Sequence, residues 1–156
     1  METIIEELEE IVRDFSIQIK SINKTDFNAK PNTNKWSKKE VVGHLIDSAQ
    51  NNLRRFIVGQ YEHEPHIVYD QDFWVNSNSY QNMPDNDVVK LWELVNGQII
   101  STLKQMPVEN YNRACNTGKA VPSNHSLIWL AADYVKHMKH HLNQIIPGSF
   151  DIIYPS

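Results

Sequence analysis

An all-α fold, a four-helix bundle, is predicted by three features of the sequence. Four stretches carry apolar residues at spacings of three and four, capping residues open the second and third, and glycine or proline closes the later ones. The chain has 156 residues, 40% hydrophobic and 22% charged. That is ordinary globular usage and enough length for one domain, residues 1–156, with a buried core.

The first helix is expected from about Thr3 to Ile22, where Ile4, Ile5, Leu8, Ile11, Val12, Phe15, Ile19 and Ile22 form one stripe. Lys30-Pro31-Asn32-Thr33-Asn34 interrupts it as a loop. The second helix starts at Ser37, because Ser37-Lys38-Lys39-Glu40 is a capping box, and Gly59 stands near its end. The third follows Met83-Pro84-Asp85-Asn86-Asp87, a run rich in capping residues, and continues to Pro107. The fourth runs from about Ser126 to Ile146 and is closed by Pro147-Gly148. Two connections, Gln60–Met83 and Val108–His125, are longer than a median loop. The first is dense in aromatics, from Tyr61 to Tyr80, and reads either as a segment folded over a pocket or as a loop packed only for stability.

Charge and cysteine content exclude several classes. Net charge is −4 with no basic cluster, so nucleic acid is not expected as a partner. Cys115 is the only cysteine, which rules out an intramolecular disulfide and fits a reducing compartment. The start, Met1-Glu2-Thr3-Ile4-Ile5-Glu6-Glu7, is acidic where a secretory signal is basic, and no apolar run nears the ~20 residues that span a bilayer. A cytoplasmic protein with no membrane partner is the expectation.

The chemistry concentrates on the fourth helix. His137 and His141 are four apart, one turn above each other on one face, a spacing that lets two imidazoles share one metal. They border the apolar arc of Leu130, Tyr134, Val135, Met138 and Leu142, while His140 lies off their line. Asp133, four residues earlier, could accept a hydrogen bond from His137 and fix its tautomer. Catalytic zinc usually has three protein ligands, and the candidate third is His44 on the second helix. His44 shares a polar strip with Asp47, Ser48, Asn51 and Arg55, which is either a solvated face or the lining of a cavity between helices. His63 and His66 are further candidates on a loop broken by Pro65, and no HExxH glutamate base is present.

Trp36-Ser37-Lys38-Lys39-Glu40-Val41-Val42-Gly43-His44-Leu45-Ile46-Asp47-Ser48-Ala49 resembles the second-helix signature of the DinB/YfiT-like superfamily. Asp133-Tyr134-Val135-Lys136-His137-Met138-Lys139-His140-His141-Leu142-Asn143-Gln144-Ile145 resembles its fourth-helix signature. The resemblance covers essentially the whole chain. It implies an up-down-down-up four-helix bundle, a metal site of His44, His137 and His141 holding zinc or nickel, and a homodimer. Members include metal-dependent hydrolases and transferases of low-molecular-weight thiols.

Two functions follow as expectations. One is a metal-dependent enzyme acting on a small molecule, in which a water or a thiol at the ion loses its proton. Asp47 is then the candidate general base for hydrolysis, and Arg54 or Arg55 could anchor a carboxylate of the thiol. The other is a non-catalytic metal-binding bundle whose metal affinity becomes folding energy. Cys115, in a loop, reads as a bystander.

Overall fold

The structure, a computed structural model, describes residues 1–154. In order the chain forms α1 (Glu2–Lys20), a short α2 (Lys24–Asn28), α3 (Lys38–Val58), α4 (Gln71–Asn78), α5 (Asp85–Gln105), an antiparallel hairpin of β1 (Ala114–Asn116) and β2 (Asn124–Ser126), and α6 (Leu127–Ile145). The four long helices are the four expected from periodicity. They make a four-helix bundle in which α3 packs on α5, α5 on α1, α1 on α6 and α6 on α3.

Two of the long helices, α3 and α6, begin where a serine side chain satisfies orphan backbone groups. Ser37 Oγ accepts from the Glu40 N–H at 3.1 Å while Glu40 Oε2 accepts from the Ser37 N–H at 2.9 Å, the predicted capping box. Ser126 caps α6 by accepting from the Trp129 N–H. At α5 the polar run behaves otherwise. Pro84 occupies the cap position with no side-chain hydrogen bond. Asp85 instead pairs with Lys39 at 2.8 Å, tying the starts of α3 and α5 together.

The core lies between the four stripes. Leu8, Leu45, Ile99, Met138 and Trp92 are fully buried. Tyr134 donates its hydroxyl hydrogen to Asn96 Oδ1 at 2.6 Å, so the phenol enters the core with its polar tip satisfied. None of the described helices is long and apolar enough to cross a membrane.

The first long connection folds over α3. It carries α4 and a single turn at Tyr80–Asn82, and Ile67, Val75 and Tyr80 join the core. Tyr80 lies directly on Gly43: a Cβ there would stand 2.1 Å from Tyr80 Cδ2. Only glycine permits that approach. The second connection supplies the hairpin, which joins the first through Ile67 N–H to Asn116 O and Asn116 N–H to Pro65 O, both 3.0 Å.

Candidate metal centre

The polar strip of α3 is not a solvated face. His44, Asp47, Ser48, Asn51 and Asn52 are all buried, because α3 is covered by α5, α6 and α4. Its amides satisfy themselves locally: Asn51 donates to Asp47 O and Asn52 to Ser48 O, each at 2.9 Å. Burial therefore leaves His44 and Asp47 as the strip's groups with unsatisfied atoms, at His44 Nδ1 and Asp47 Oδ2.

The fold brings the three candidate histidines together. His137 Nε2 stands 3.3 Å from His44 Nε2 and 3.1 Å from His141 Nε2. One ring nitrogen from each lies within 4.8 Å of the other two. Nitrogens bound to one tetrahedral zinc at ~2.0–2.1 Å stand about 3.3 Å apart, so the spacing fits a shared ion. The rings meet edge to face, with centroids 4.5 to 5.2 Å apart.

The outer nitrogens of two rings have polar partners. Gln144 Oε1 can only accept, so His141 Nδ1, 3.1 Å away, carries the proton and Nε2 is bare. The Gln144 amide nitrogen faces His140 Nε2 at 3.2 Å. Ser48 Oγ lies 3.4 Å from His137 Nδ1 and, able to donate or accept, partners that nitrogen in either tautomer. The three inward nitrogens converge on one point, where a cation would replace the N–H···N hydrogen bonds between them.

All three imidazoles are held neutral. Burial lowers the pKa of His44 to about 3, with the charge of His141 adding to it. His137 is pushed well below the ordinary histidine value by burial first, then by His141, His44, His140 and Arg55. His141 is also lowered, chiefly by burial, against the opposing Gln144 hydrogen bond. Neutral imidazole is the form that ligates metal.

Other expected residues are placed differently. Asp133 does not hydrogen-bond His137; both its oxygens accept from the Tyr154 hydroxyl at 3.1 Å. Tyr154 in turn lies across His137 and His140, a covering that the sequence reading missed because the residue lies beyond the last helix. Asp47 Oδ1 accepts from Tyr80 at 2.6 Å and Asn78 at 2.8 Å, and burial raises its pKa to about 6 against those two hydrogen bonds. Arg54 is exposed, whereas Arg55 turns inward. Exposed His63 and His66 stand apart from the cluster, His66 facing Gly118 O at 2.8 Å. Cys115 is buried against Pro65 O, and burial raises its pKa.

A cleft of about 690 Å³ opens at His141, lined also by Gln144, Trp36, Lys30, Lys35, Gln71 and Asp72. Trp36 stacks on His44 with centroids 5.0 Å apart. The first long connection supplies Gln71 and Asp72 to the wall of that cleft, but none of its aromatic residues lines it.

The sequence model of the DinB superfamily matches residues 7–145. No curated protein matches the chain. Among solved structures, YfiT from Bacillus subtilis, described as a probable metal-dependent hydrolase with an unusual four-helix bundle topology, is similar with a TM-score of 0.82 and 21% identity. That alignment covers 92% of this chain and 82% of YfiT. A mycothiol-dependent maleylpyruvate isomerase is similar with a TM-score of 0.69 and 11% identity, covering 90% of this chain and 59% of the isomerase. A DinB-like protein, YjoA, from Bacillus subtilis has a TM-score of 0.64 and 16% identity, covering 97% of this chain and 96% of that one. At these identities the likeness is one of fold.

Proposed function

The chain belongs to the DinB superfamily, and we propose that His44, His137 and His141 bind one divalent metal ion, zinc or nickel, beside which a small molecule is transformed. The observation that carries this reading is the convergence of three neutral imidazoles from two helices. Imidazole suits zinc and nickel alike. A bound ion would supply a Lewis acid that lowers the pKa of a thiol or water placed beside it. The chain's own residues do the rest. Gln144 and Ser48 hold two rings with one nitrogen of each inward, Trp36 covers His44, and the cleft admits the small molecule at His141.

Transfer of a low-molecular-weight thiol to an electrophile is the reading that asks least of these residues. It needs no general base once the thiol is deprotonated, only room for the thiol's remainder, and a cleft of about 690 Å³ supports that. Hydrolysis is the second reading, and Asp47 is the observation that favours it: a carboxyl with a pKa of about 6 suits a proton acceptor near neutral pH.

The test begins with the metal content of untagged protein purified without added metal, beside a His137→Ala, His141→Ala double variant. One ion per chain in the parent, lost in the variant while helical signal persists, supports the reading. Conjugation of thiols to electrophiles that survives Asp47→Asn supports thiol transfer, and hydrolysis lost in Asp47→Asn supports the second reading. Helices that melt when the ion is chelated favour a structural metal. A parent without metal, whose melting zinc and nickel leave unmoved, sinks all three.

A further inference from the structure

Arg55 lies on α3 beyond His44, and its side chain runs back toward the start of the helix, as helical side chains do. Nη1 donates to Asn52 Oδ1 at 3.2 Å, while Nε and Nη2 both donate to Ile67 O, at 3.2 and 2.9 Å. A guanidinium carries five N–H donors, so two have no partner among the described residues. No carboxylate forms an ion pair with Arg55 there either. Asp133, whose charge reaches it, is taken up by Tyr154. A largely buried cation without a counter-ion is a costly arrangement unless an anion joins it.

Arg55 lines a cavity of about 150 Å³ with Val68, Tyr69, Gln71, Thr117 and Lys119. No acidic residue contributes to that lining, and Lys119 extends from the exposed loop between β1 and β2. Gln71 also borders the large cleft at His141. In that larger cleft Lys30 and Lys38 are already paired with Glu40 and Asp26, while Lys35 has no ion pair among the described residues. Arg55 is further linked to the histidines by a chain of side chains: Asn52 Nδ2 donates to Ser48 Oγ at 3.4 Å, and Ser48 Oγ stands 3.4 Å from His137 Nδ1.

We propose that Arg55 and Lys119 form an anion subsite that takes a terminal carboxylate or phosphate of the molecule bound at the histidines. The planar fork of Arg55 offers its two free N–H groups to two oxygens of one anion, and Lys119 closes on it as a mobile point charge. Tyr69 and Thr117 line the same cavity. The substrate is therefore a small molecule with an anionic end, held at a fixed distance from its reacting group. Assigning this anion to the substrate rests on the metal-centre reading; the subsite itself does not.

The experiment titrates inorganic phosphate and, separately, succinate into the protein with and without one equivalent of zinc, followed by calorimetry and by the Arg55 Nε–H resonance. One saturable site is expected, with a shift of that resonance. Lys119→Gln should weaken it about tenfold, and Lys35→Gln, in the outer cleft, should leave it unchanged. Arg55→Gln should abolish it, but that variant also frees the Ile67 carbonyl and can lose stability, so Lys119→Gln decides. Tighter phosphate assigns a phosphoryl-bearing substrate and tighter succinate a carboxylate. No saturable binding of either anion, or binding that Lys119→Gln leaves untouched, overturns the subsite. Zinc bound without an anion site removes this proposal alone; an anion site in protein that takes no zinc removes the metal reading and leaves the subsite.

Discussion

The Nε2 atoms of His44 and His137, ninety-three residues apart in the chain, stand 3.3 Å from one another. Two neutral imidazoles at that separation share an N–H···N hydrogen bond, or both turn bare nitrogens to a cation. Burial, which lowers the His44 pKa to about 3, keeps the ring neutral and so able to ligate a metal once that N–H moves to the other nitrogen. His44→Ala and His137→Ala should therefore each lose the bound ion while retaining helical signal. The loss of affinity should exceed the ~10–100-fold typical of residues that only orient a ligand, measured by competition with a chelator.

Ser48→Ala and Gln144→Ala test that orienting role. Each removes the partner of one Nδ1 and leaves the three ligating nitrogens in place. Metal affinity should fall by about 10–100-fold in each, with unchanged stoichiometry and far-ultraviolet circular dichroism.

Asp47 predicts a pH dependence. Its folded pKa of about 6 lies above the ordinary value of 3.8. The protonated carboxyl is the form the fold prefers, so its contribution is complete below about pH 3.8 and is lost as pH rises through 6. Compared with Asp47→Asn, the parent should lose on the order of 2–3 kcal/mol between pH 4 and pH 7. Urea unfolding of both proteins across that range measures the difference, and the histidines, common to both, cancel. Parallel stability curves for the two proteins would refute the assignment.

Gly43 and Gly97 form a contrasting pair. A methyl at Gly43 overlaps the Tyr80 ring, whose hydroxyl is fixed by Asp47, so Gly43→Ala should cost about 1–3 kcal/mol or more. Nothing lies within 4 Å of a Cβ at Gly97 in α5, so Gly97→Ala should stabilise by up to about 1 kcal/mol through helix propensity. Chemical denaturation of both variants measures the two signs.

The long helices were legible because their stripes repeat over five turns or more, and the capping box at Ser37 located one boundary to the residue. The short pieces were not. The five residues of α2 and eight of α4 are too few to display a period, and they are held by partners distant in sequence, such as Asn28 on Asp85. That His137 and His141 share one face was readable from their spacing. The burial of His44 was not, because a polar strip looks the same whether it meets solvent or a neighbouring helix. Likewise Trp92 and Trp129 look equivalent in sequence, yet Trp92 fills the core and Trp129 is exposed, stacked on His125.

Cys115 sits on β1 with its thiol buried against Pro65 O, beside the backbone pairing that joins the two long connections. As the only sulfhydryl in the chain, it is a built-in clock for that seam. A thiol-reactive dye can label it only when the hairpin parts from the Pro65–Ile67 segment, so labelling kinetics count those openings one site at a time. Occupancy of the neighbouring Arg55 cavity should slow that clock.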